Sequence, residues 1–390
     1  MNRFCLTCLT LAVAVGALRL DVVAAPLDLA TVDKEIAALR TKEANAKLSD
    51  QSRLKAKYDR LKLELLVCEE SDYPAKRQEM MSFLSTPDGW KPVDYVSFLF
   101  DNAGYDATRQ RQFETPDLLP LAEKASRGDE KARLVYFTGA VKHYERMLAN
   151  EPTSLEERYS REARLKFIDR SLEDPLLAKA RGTVLEAKAN VLRSLGRKAD
   201  AEKLMVASAA EGDALAQRFL PLLAAAYADD AKRFYGEPDR PTLAKAAEAL
   251  DRYFALEDVA RRDKSGYQKA CELRAQIELD RGNPQDAVPW AERLVAARGG
   301  ETNVVAATLL GDAAYATGDW SRAAAAYAAG DAKLPWRVRE KFARALYAAG
   351  RKEEALKQVE AAAAKASKHK RQELNHAAEK IRRELKGEAQ

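Results

Sequence analysis

The chain has 390 residues, which is enough for two or three domains or for one long array of repeats. Its 18 glycines and 14 prolines make up about 8% of the residues, against about 12% in an average protein, which disfavours an all-β fold and excludes a collagen-like chain. Hydrophobic residues make up 47%, which excludes general disorder, and the net charge of +5 is too small to indicate nucleic-acid binding.

The first 24 residues are typical of a secretory signal peptide. Arg3 supplies the positive start, residues 4–18 are apolar, and small residues follow that allow cleavage near Ala17 or Ala24. An uncleaved anchor is the alternative, but the apolar run of about 15 residues is shorter than the roughly 20 that span a bilayer. We therefore expect export to a bacterial periplasm, without stable membrane insertion after processing.

Two cysteines, Cys68 and Cys271, lie outside the predicted signal peptide. They can form one disulfide in an oxidising compartment or remain two separate thiols, and the sequence leaves both open. Outside the predicted signal peptide, which contains Cys5 and Cys8, there is no Cys-x-x-Cys pair, and the chain has only three histidines: His143, His369 and His376. We expect no metal site and no cofactor.

Residues 25–65 are predicted to form an amphipathic helix or a helical hairpin. Apolar residues recur three and four positions apart in two stripes, which lie at Val32, Ile36 and Leu39 and at Leu54, Tyr58, Leu61 and Leu65. The stripes are out of register, and residues 49–52 between them can cap a second helix, so one long helix with a stutter or a hairpin would fit. Self-association through residues 31–65 is one role for the stripes; packing onto the chain's own next helices is the other.

Residues 66–115 form an aromatic-rich helical module in this interpretation. Eight aromatic residues lie there: Tyr73, Phe83, Trp90, Tyr95, Phe98, Phe100, Tyr105 and Phe113. Aromatic side chains bury much surface each, which indicates a packed module rather than a linker. We predict helices over 74–84 and 92–102, separated by a turn at 86–89.

Residues 116–369 contain an internal repeat. Glycines that separate paired helices align at Gly196, Gly282, Gly318 and Gly350, with spacings of 86, 36 and 32 residues. The first spacing has room for two longer or degenerate units. Small residues let antiparallel helices approach closely, and such pairs must stack to bury their faces.

The best unit covers residues 304–337. It combines the small residues Gly311 and Ala323 with the larger Tyr315 and Tyr327 and a closing Pro335. This pattern resembles the tetratricopeptide (TPR) repeat, most strongly over 304–369 and not at all before 116. The resemblance implies an all-α fold, an α-solenoid of antiparallel helix pairs after an N-terminal helical region. The basic residues 370–390 are expected to form a helix that caps the last repeat.

No catalytic motif is present in the sequence. There is no Gly-x-Ser-x-Gly elbow, no phosphate-binding loop ending in Gly-Lys-Ser/Thr and no His-Glu-x-x-His. The basic stretch at 365–371 is followed by interleaved glutamates, which is typical of a solvated helix rather than of a nucleic-acid patch. We therefore expect a protein that is not an enzyme.

TPR proteins usually bind a protein or an extended peptide on the concave face, lined by the first helix of each pair. Carried over to this chain, the resemblance implies a partner groove at Asn190, Arg193, Gln276, Asp312, Tyr315, Arg344 and Tyr347. Residues three apart share a helix face, so the pairs can point into one groove. For Tyr315 and Tyr347, packing between repeats is the alternative.

These observations favour an exported, non-enzymatic protein-interaction scaffold. The alternative is an accessory subunit that binds a small ligand or a peptidoglycan fragment through the module at 66–115.

Overall fold

The structure, a computed structural model, describes residues 29–69, 71–86, 89–102, 119–150, 161–232, 236–299, 303–330 and 333–386. The predicted signal peptide lies outside these ranges. Within them the chain is helical and contains no β-strand, so the expected all-α class is confirmed. None of the described helices is both long and apolar enough to cross a lipid bilayer.

Nineteen α-helices and one short 3₁₀ helix, Pro175–Ala180, lie in the described ranges. The α-helices are α1 (Leu29–Ala44), α2 (Asp50–Val67), α3 (Tyr73–Leu84), α4 (Pro92–Asn102), α5 (Leu119–Ala125), α6 (Glu130–Asn150), α7 (Arg161–Leu172), α8 (Arg181–Ser194), α9 (Lys198–Ala210), α10 (Asp213–Ala231), α11 (Arg240–Phe254), α12 (Val259–Arg262), α13 (Lys264–Asp280), α14 (Pro284–Ala297), α15 (Val304–Ala316), α16 (Trp320–Ala329), α17 (Trp336–Ala348), α18 (Lys352–Lys365) and α19 (Lys368–Leu385). Their packing divides the chain into two compact units, residues 1–184 and 185–390.

The first unit begins with a helical hairpin. Helix α1 packs against α2, and Ser49 caps α2 by accepting a hydrogen bond from the amide of Ser52 at 3.2 Å. The stripe residues Val32, Ile36 and Leu39 are buried, with 2%, 8% and 9% of their surface exposed. The structure therefore contains the hairpin, one of the two alternatives that the sequence left open. The apolar stripe of α1 is buried by contacts within this chain.

The aromatic module packs around this hairpin. Helices α3 and α4 agree with the predicted helices at 74–84 and 92–102. The ring of Phe98 lies 4.8 Å from that of Tyr58 on α2, edge to face. Helix α4 also packs on α6, where a Cβ atom on Gly139 would lie 2.4 Å from the ring of Phe100. The first unit therefore extends past residue 116, where we expected the repeats to begin.

The second unit is built from antiparallel helix pairs. Helix α10 packs on α9 and α11, and the later pairs are α13 with α14, α15 with α16, and α17 with α18. Helix α19 packs on α18 and buries Leu374, Ala378 and Ile381. The first helices of successive pairs also touch one another, α10 with α13, α13 with α15, and α15 with α17. The expected α-solenoid of antiparallel helix pairs is confirmed.

The four aligned glycines make the same turn. Gly196, Gly282, Gly318 and Gly350 have φ angles of 76°, 79°, 79° and 80°, a left-handed conformation that favours glycine. In each turn the amide that follows the glycine donates to the carbonyl five residues earlier, at 2.8 to 3.0 Å. This bond closes the end of the first helix and directs the chain into the second.

Small residues flank every one of these turns in the same register. Seven residues before the glycine the side chain is small and buried, at Ala189, Ala275, Gly311 and Ala343. Five residues after the glycine lie Ala201, Ala287, Ala323 and Ala355, each 0% exposed. The 86-residue spacing between Gly196 and Gly282 covers two repeat lengths. The helix pair between them, α10 and α11, is connected through residues 232–239 and not through one of the aligned glycine turns.

Candidate partner-binding face

The seven residues proposed from the TPR resemblance lie on first helices of the second unit. Four of them, Asn190, Gln276, Asp312 and Arg344, are six residues before a turn glycine. The other three, Arg193, Tyr315 and Tyr347, are three residues before one. Because α13, α15 and α17 pack side by side, the equivalent positions on these helices line up in a row, and α8 is linked to the next first helix, α10, through Arg193. We call this row the first-helix face.

Arg193 is held in an ion pair within the chain. Its guanidinium donates to both carboxylate oxygens of Asp230 on α10, each at 3.0 Å, and Lys198 donates to the same carboxylate at 2.7 Å. Hydrogen bonds from Arg193, and then from Lys198, outweigh the effect of burial and hold the pKa of Asp230 below its usual range. Arg193 therefore joins α8 to α10.

Asp312 joins three helices. Its Oδ1 accepts hydrogen bonds from the hydroxyl of Tyr327 on α16 at 2.5 Å and from Nζ of Lys341 on α17 at 2.9 Å. Tyr327 is fully buried, and burial raises the pKa of its hydroxyl. The nearby negative charge of Asp312 raises the same pKa further. Only 23% of the Asp312 side chain is exposed, so much of it is occupied by contacts within the chain.

The two tyrosines also make contacts between helices. The ring of Tyr315 packs edge to face on Trp320 across the turn, with centroids 5.1 Å apart. Tyr347 donates its hydroxyl to Glu384 on α19 at 2.8 Å, and Lys352 binds the same carboxylate at 3.0 Å. These contacts favour the packing interpretation of both residues, although 36% of Tyr347 remains exposed.

Four of the seven residues are exposed to solvent: Tyr347, described above, and the polar residues Asn190, Gln276 and Arg344. Gln276 donates to Asp280 at 2.8 Å and Arg344 to Glu340 at 2.6 Å, each four residues away on its own helix. Side-chain pairs at this spacing are worth only about 0.2–0.5 kcal/mol, so an incoming partner can replace them. Arg344, with 63% of its side chain exposed, is the most accessible cation among the seven.

Sequence reasoning missed Glu340. Its carboxylate accepts from Arg344 and forms a second ion pair with Lys370 on α19 at 3.1 Å. The pairing with Arg344 is visible in sequence as glutamate four residues before arginine on one helix. The pairing with Lys370 crosses 30 residues and needs the fold.

Cys68 and Cys271 are both free thiols in the structure, which is the second of the two alternatives left open. Cys271 is fully buried, and burial raises the pKa of its thiol to about 11. At neutral pH it is protonated and behaves as a small apolar side chain. Among the described residues, no three His, Cys, Asp or Glu side chains are grouped so that they could hold a metal ion.

No family model and no curated protein matches the chain. Among solved structures it is similar to a signal-transduction ATPase with numerous domains (STAND) from Pyrococcus horikoshii that has a tetratricopeptide repeat sensor. The sequence identity is 15%, the match covers 85% of this chain and 59% of that protein, and the TM-score is 0.39. At that score the likeness supports no functional inference, and the repeat fold is described from the helix packing alone.

Proposed function

We propose that this protein is a non-enzymatic scaffold of the bacterial periplasm that binds a protein or an extended peptide on the first-helix face. The observation that supports the proposal is the recurrence of exposed polar side chains at one repeat position, Asn190, Gln276 and Arg344, on helices α8, α13 and α17. Helix pairs of this kind stack into extended binding surfaces, and TPR-like repeats usually bind proteins or peptides.

The residue types suit a peptide partner. The amides of Asn190 and Gln276 can each donate and accept hydrogen bonds, as a peptide backbone does. Arginine is enriched at the points of protein interfaces that contribute most to affinity, and Arg344 is exposed at one end of the row. Arg193 links α8 to α10, and Asp312 links α15 to α17. These bonds hold neighbouring first helices in place relative to one another.

The test uses the full-length chain as bait in a bacterial envelope fraction, with captured proteins measured by quantitative mass spectrometry. The variants are Arg344→Glu and Asn190→Ala, and the matched control is Lys357→Glu, which reverses an exposed charge on the second helix α18. We expect one protein to be captured by the parent and by the control but lost with both face variants. Circular dichroism and thermal melting verify that the variants are folded.

A partner retained by both folded variants would contradict binding on this face. A partner lost equally with Lys357→Glu would indicate a general charge effect and would also contradict the proposal.

A further inference from the structure

A cluster of charged residues is buried where helix α13 packs on helix α11 in the second unit. Arg274 and Glu278 on α13 have 9% and 1% of their surface exposed and form an ion pair with each other. Arg274 also donates to both carboxylate oxygens of Asp251 on α11, at 3.2 and 3.3 Å. Glu278 accepts from Arg281 at 2.9 Å and from Asn283 at 3.1 Å. We call these five residues the α13 charge cluster.

The two later repeats have apolar residues at the same positions. Arg274 and Glu278 lie eight and four residues before the turn glycine of their repeat. The residues that lie eight and four before the turn glycines after α15 and α17 are apolar and buried: Leu310, Ala314, Phe342 and Leu346. The packing of this repeat fold therefore does not require charges at these two positions.

Charges at buried positions make a helix contact selective rather than stable. Removing an arginine and a carboxylate from water costs free energy, and well-packed apolar residues of similar volume are often as stable or more stable. Loss of one partner, in contrast, leaves an uncompensated buried charge and is strongly destabilising. Burial of Arg274 is therefore favourable only beside a neighbour that supplies a matching carboxylate.

Helix α11 supplies that carboxylate. Asp251 lies twelve residues after the N-cap residue of α11. At the same distance from their N-cap residues, three other second helices, α9, α14 and α18, have apolar residues: Ala209, Val295 and Ala363. In α16 the equivalent residue, Asp331, lies outside the described residues.

The helix pairs share the same turn and the same small residues, so apolar contacts alone do not distinguish one order of stacking from another. Misassembly is a characteristic failure of repeat proteins. In coiled coils, a single buried polar residue specifies the register of pairing at a cost in stability. We propose that the α13 charge cluster is a registry lock, which selects α11 as the neighbour on which α13 and α14 stack and so fixes the order of the repeats. This role does not depend on partner binding.

The test replaces the charges of the full-length chain with the apolar residues of the later repeats. One double variant, Arg274→Leu with Glu278→Ala, copies α15, and a second, Arg274→Phe with Glu278→Leu, copies α17. Neither leaves a fully buried unpaired charge, because the side chains of Asp251 and Arg281 are 54% and 28% exposed. The single variant Arg274→Leu, in contrast, removes one buried partner of Glu278 and should lower the urea midpoint.

The matched control, Arg351→Leu with Glu354→Ala, makes the same changes in an exposed ion pair. Each protein is unfolded in urea, refolded by dilution and compared by size-exclusion chromatography and by hydrogen-exchange mass spectrometry of α13 and α14. We expect the double variants to keep the urea midpoint of the parent but to recover a smaller folded fraction, with two isotopic envelopes instead of one, because the pairs now stack in more than one order. The control should behave as the parent.

A lower midpoint in both double variants, or failure of both to fold, would show that the cluster stabilises the fold and would overturn the proposal. If either double variant keeps the midpoint, that variant decides: full recovery with a single isotopic envelope would also overturn the proposal. So would the same loss of recovery in the control.

Discussion

The ring of Tyr327 lies directly on the backbone of Gly311. A Cβ atom on residue 311 would be 2.4 Å from Cε1 of that ring, closer than real Cβ contacts. The absence of a side chain at Gly311 therefore allows α16 to approach α15 at this point. The same ring places its hydroxyl on Asp312, so one tyrosine fixes both the distance between the helices and their rotation.

We expect Gly311→Ala to destabilise the second unit by about 1–3 kcal/mol, because the added methyl overpacks the contact with Tyr327. Denaturant unfolding followed by circular dichroism measures the change. Ala316→Leu, which enlarges an exposed residue of the same helix, is the control and should have little effect. A Gly311→Ala protein with the same free energy of unfolding as the parent would contradict the close approach of α15 and α16.

We expect Ala323→Leu to destabilise the protein by about 1–3 kcal/mol as well, since Ala323 is 0% exposed between α15 and α16. Ala325→Leu makes the same change two residues later at an exposed position and serves as the matched control. Thermal melting of both variants should show a lower midpoint only for Ala323→Leu. Equal midpoints would contradict the repeat register.

Asp312 is expected to stabilise the fold rather than only to contact a partner. Asp312→Ala leaves the buried hydroxyl of Tyr327 without its acceptor, which should cost about 1–3 kcal/mol. In the Tyr327→Phe background that hydroxyl is gone, so the same substitution should cost less. Urea unfolding of the two single variants and the double variant measures the coupling. An equal cost of Asp312→Ala in both backgrounds would show that the bond adds no stability.

Glu64 makes the first unit sensitive to acid. Burial alone would raise its pKa, but hydrogen bonds from Lys76, Arg40 and Arg60 outweigh burial and hold the pKa of Glu64 at about 2, below its ordinary value of 4.5. Because the folded-state pKa is depressed, this stabilisation is complete above about pH 4.5 and is lost as the pH falls toward 2.

Urea unfolding of the parent and of Glu64→Gln at pH 7 and pH 3 tests this dependence. The parent should be more stable than the variant at pH 7, and the difference should shrink at pH 3. Glu79→Gln, which changes an exposed carboxylate bonded to the same Lys76, is the control and should show a smaller difference. A difference for Glu64→Gln that is the same at both pH values would contradict the role of this carboxylate.

We expect the chain to be exported and to be cleaved after Ala17 or Ala24, because small residues follow the short apolar run at 4–18. Expression of the full chain in a bacterium, fractionation and mass spectrometry of the N-terminal peptide measure the start of the mature protein. Recovery of residues 1–18 in the membrane fraction would contradict cleavage and favour the anchor.

The repeat architecture was predictable because its determinants are local in sequence. A left-handed turn needs glycine, and close helix packing needs small residues at fixed distances from it, so Gly318 with Ala323 and Gly350 with Ala355 identify two pairs directly. The helices at 74–84 and 92–102 were also predictable, from turn residues and apolar spacing.

The roles of the face residues were less predictable because their contacts are not local. Arg193 and Asp230 are 37 residues apart, and nothing in either local pattern pairs them. Tyr327 was recognised as a packing residue, but the direction of its hydroxyl toward Asp312 follows only from the rotation of α16. The extent of the first unit was missed for the same reason, since the packing of Phe100 on Gly139 joins segments separated by residues 103–118.

Because the glycine turns share one backbone geometry, the first helix of one pair could be joined to the second helix of another through the same turn. Joining Gly318 directly to Arg351 would remove 32 residues and connect α15 to α18 through a turn with the same φ, 79° against 80°. Gly311 would then lie seven residues before the joined turn and Ala355 five residues after it, which is the spacing of the small residues in each native pair. In-frame recombination at such positions can shorten or lengthen the array by whole units, so gene duplication can set how many first helices the array contains.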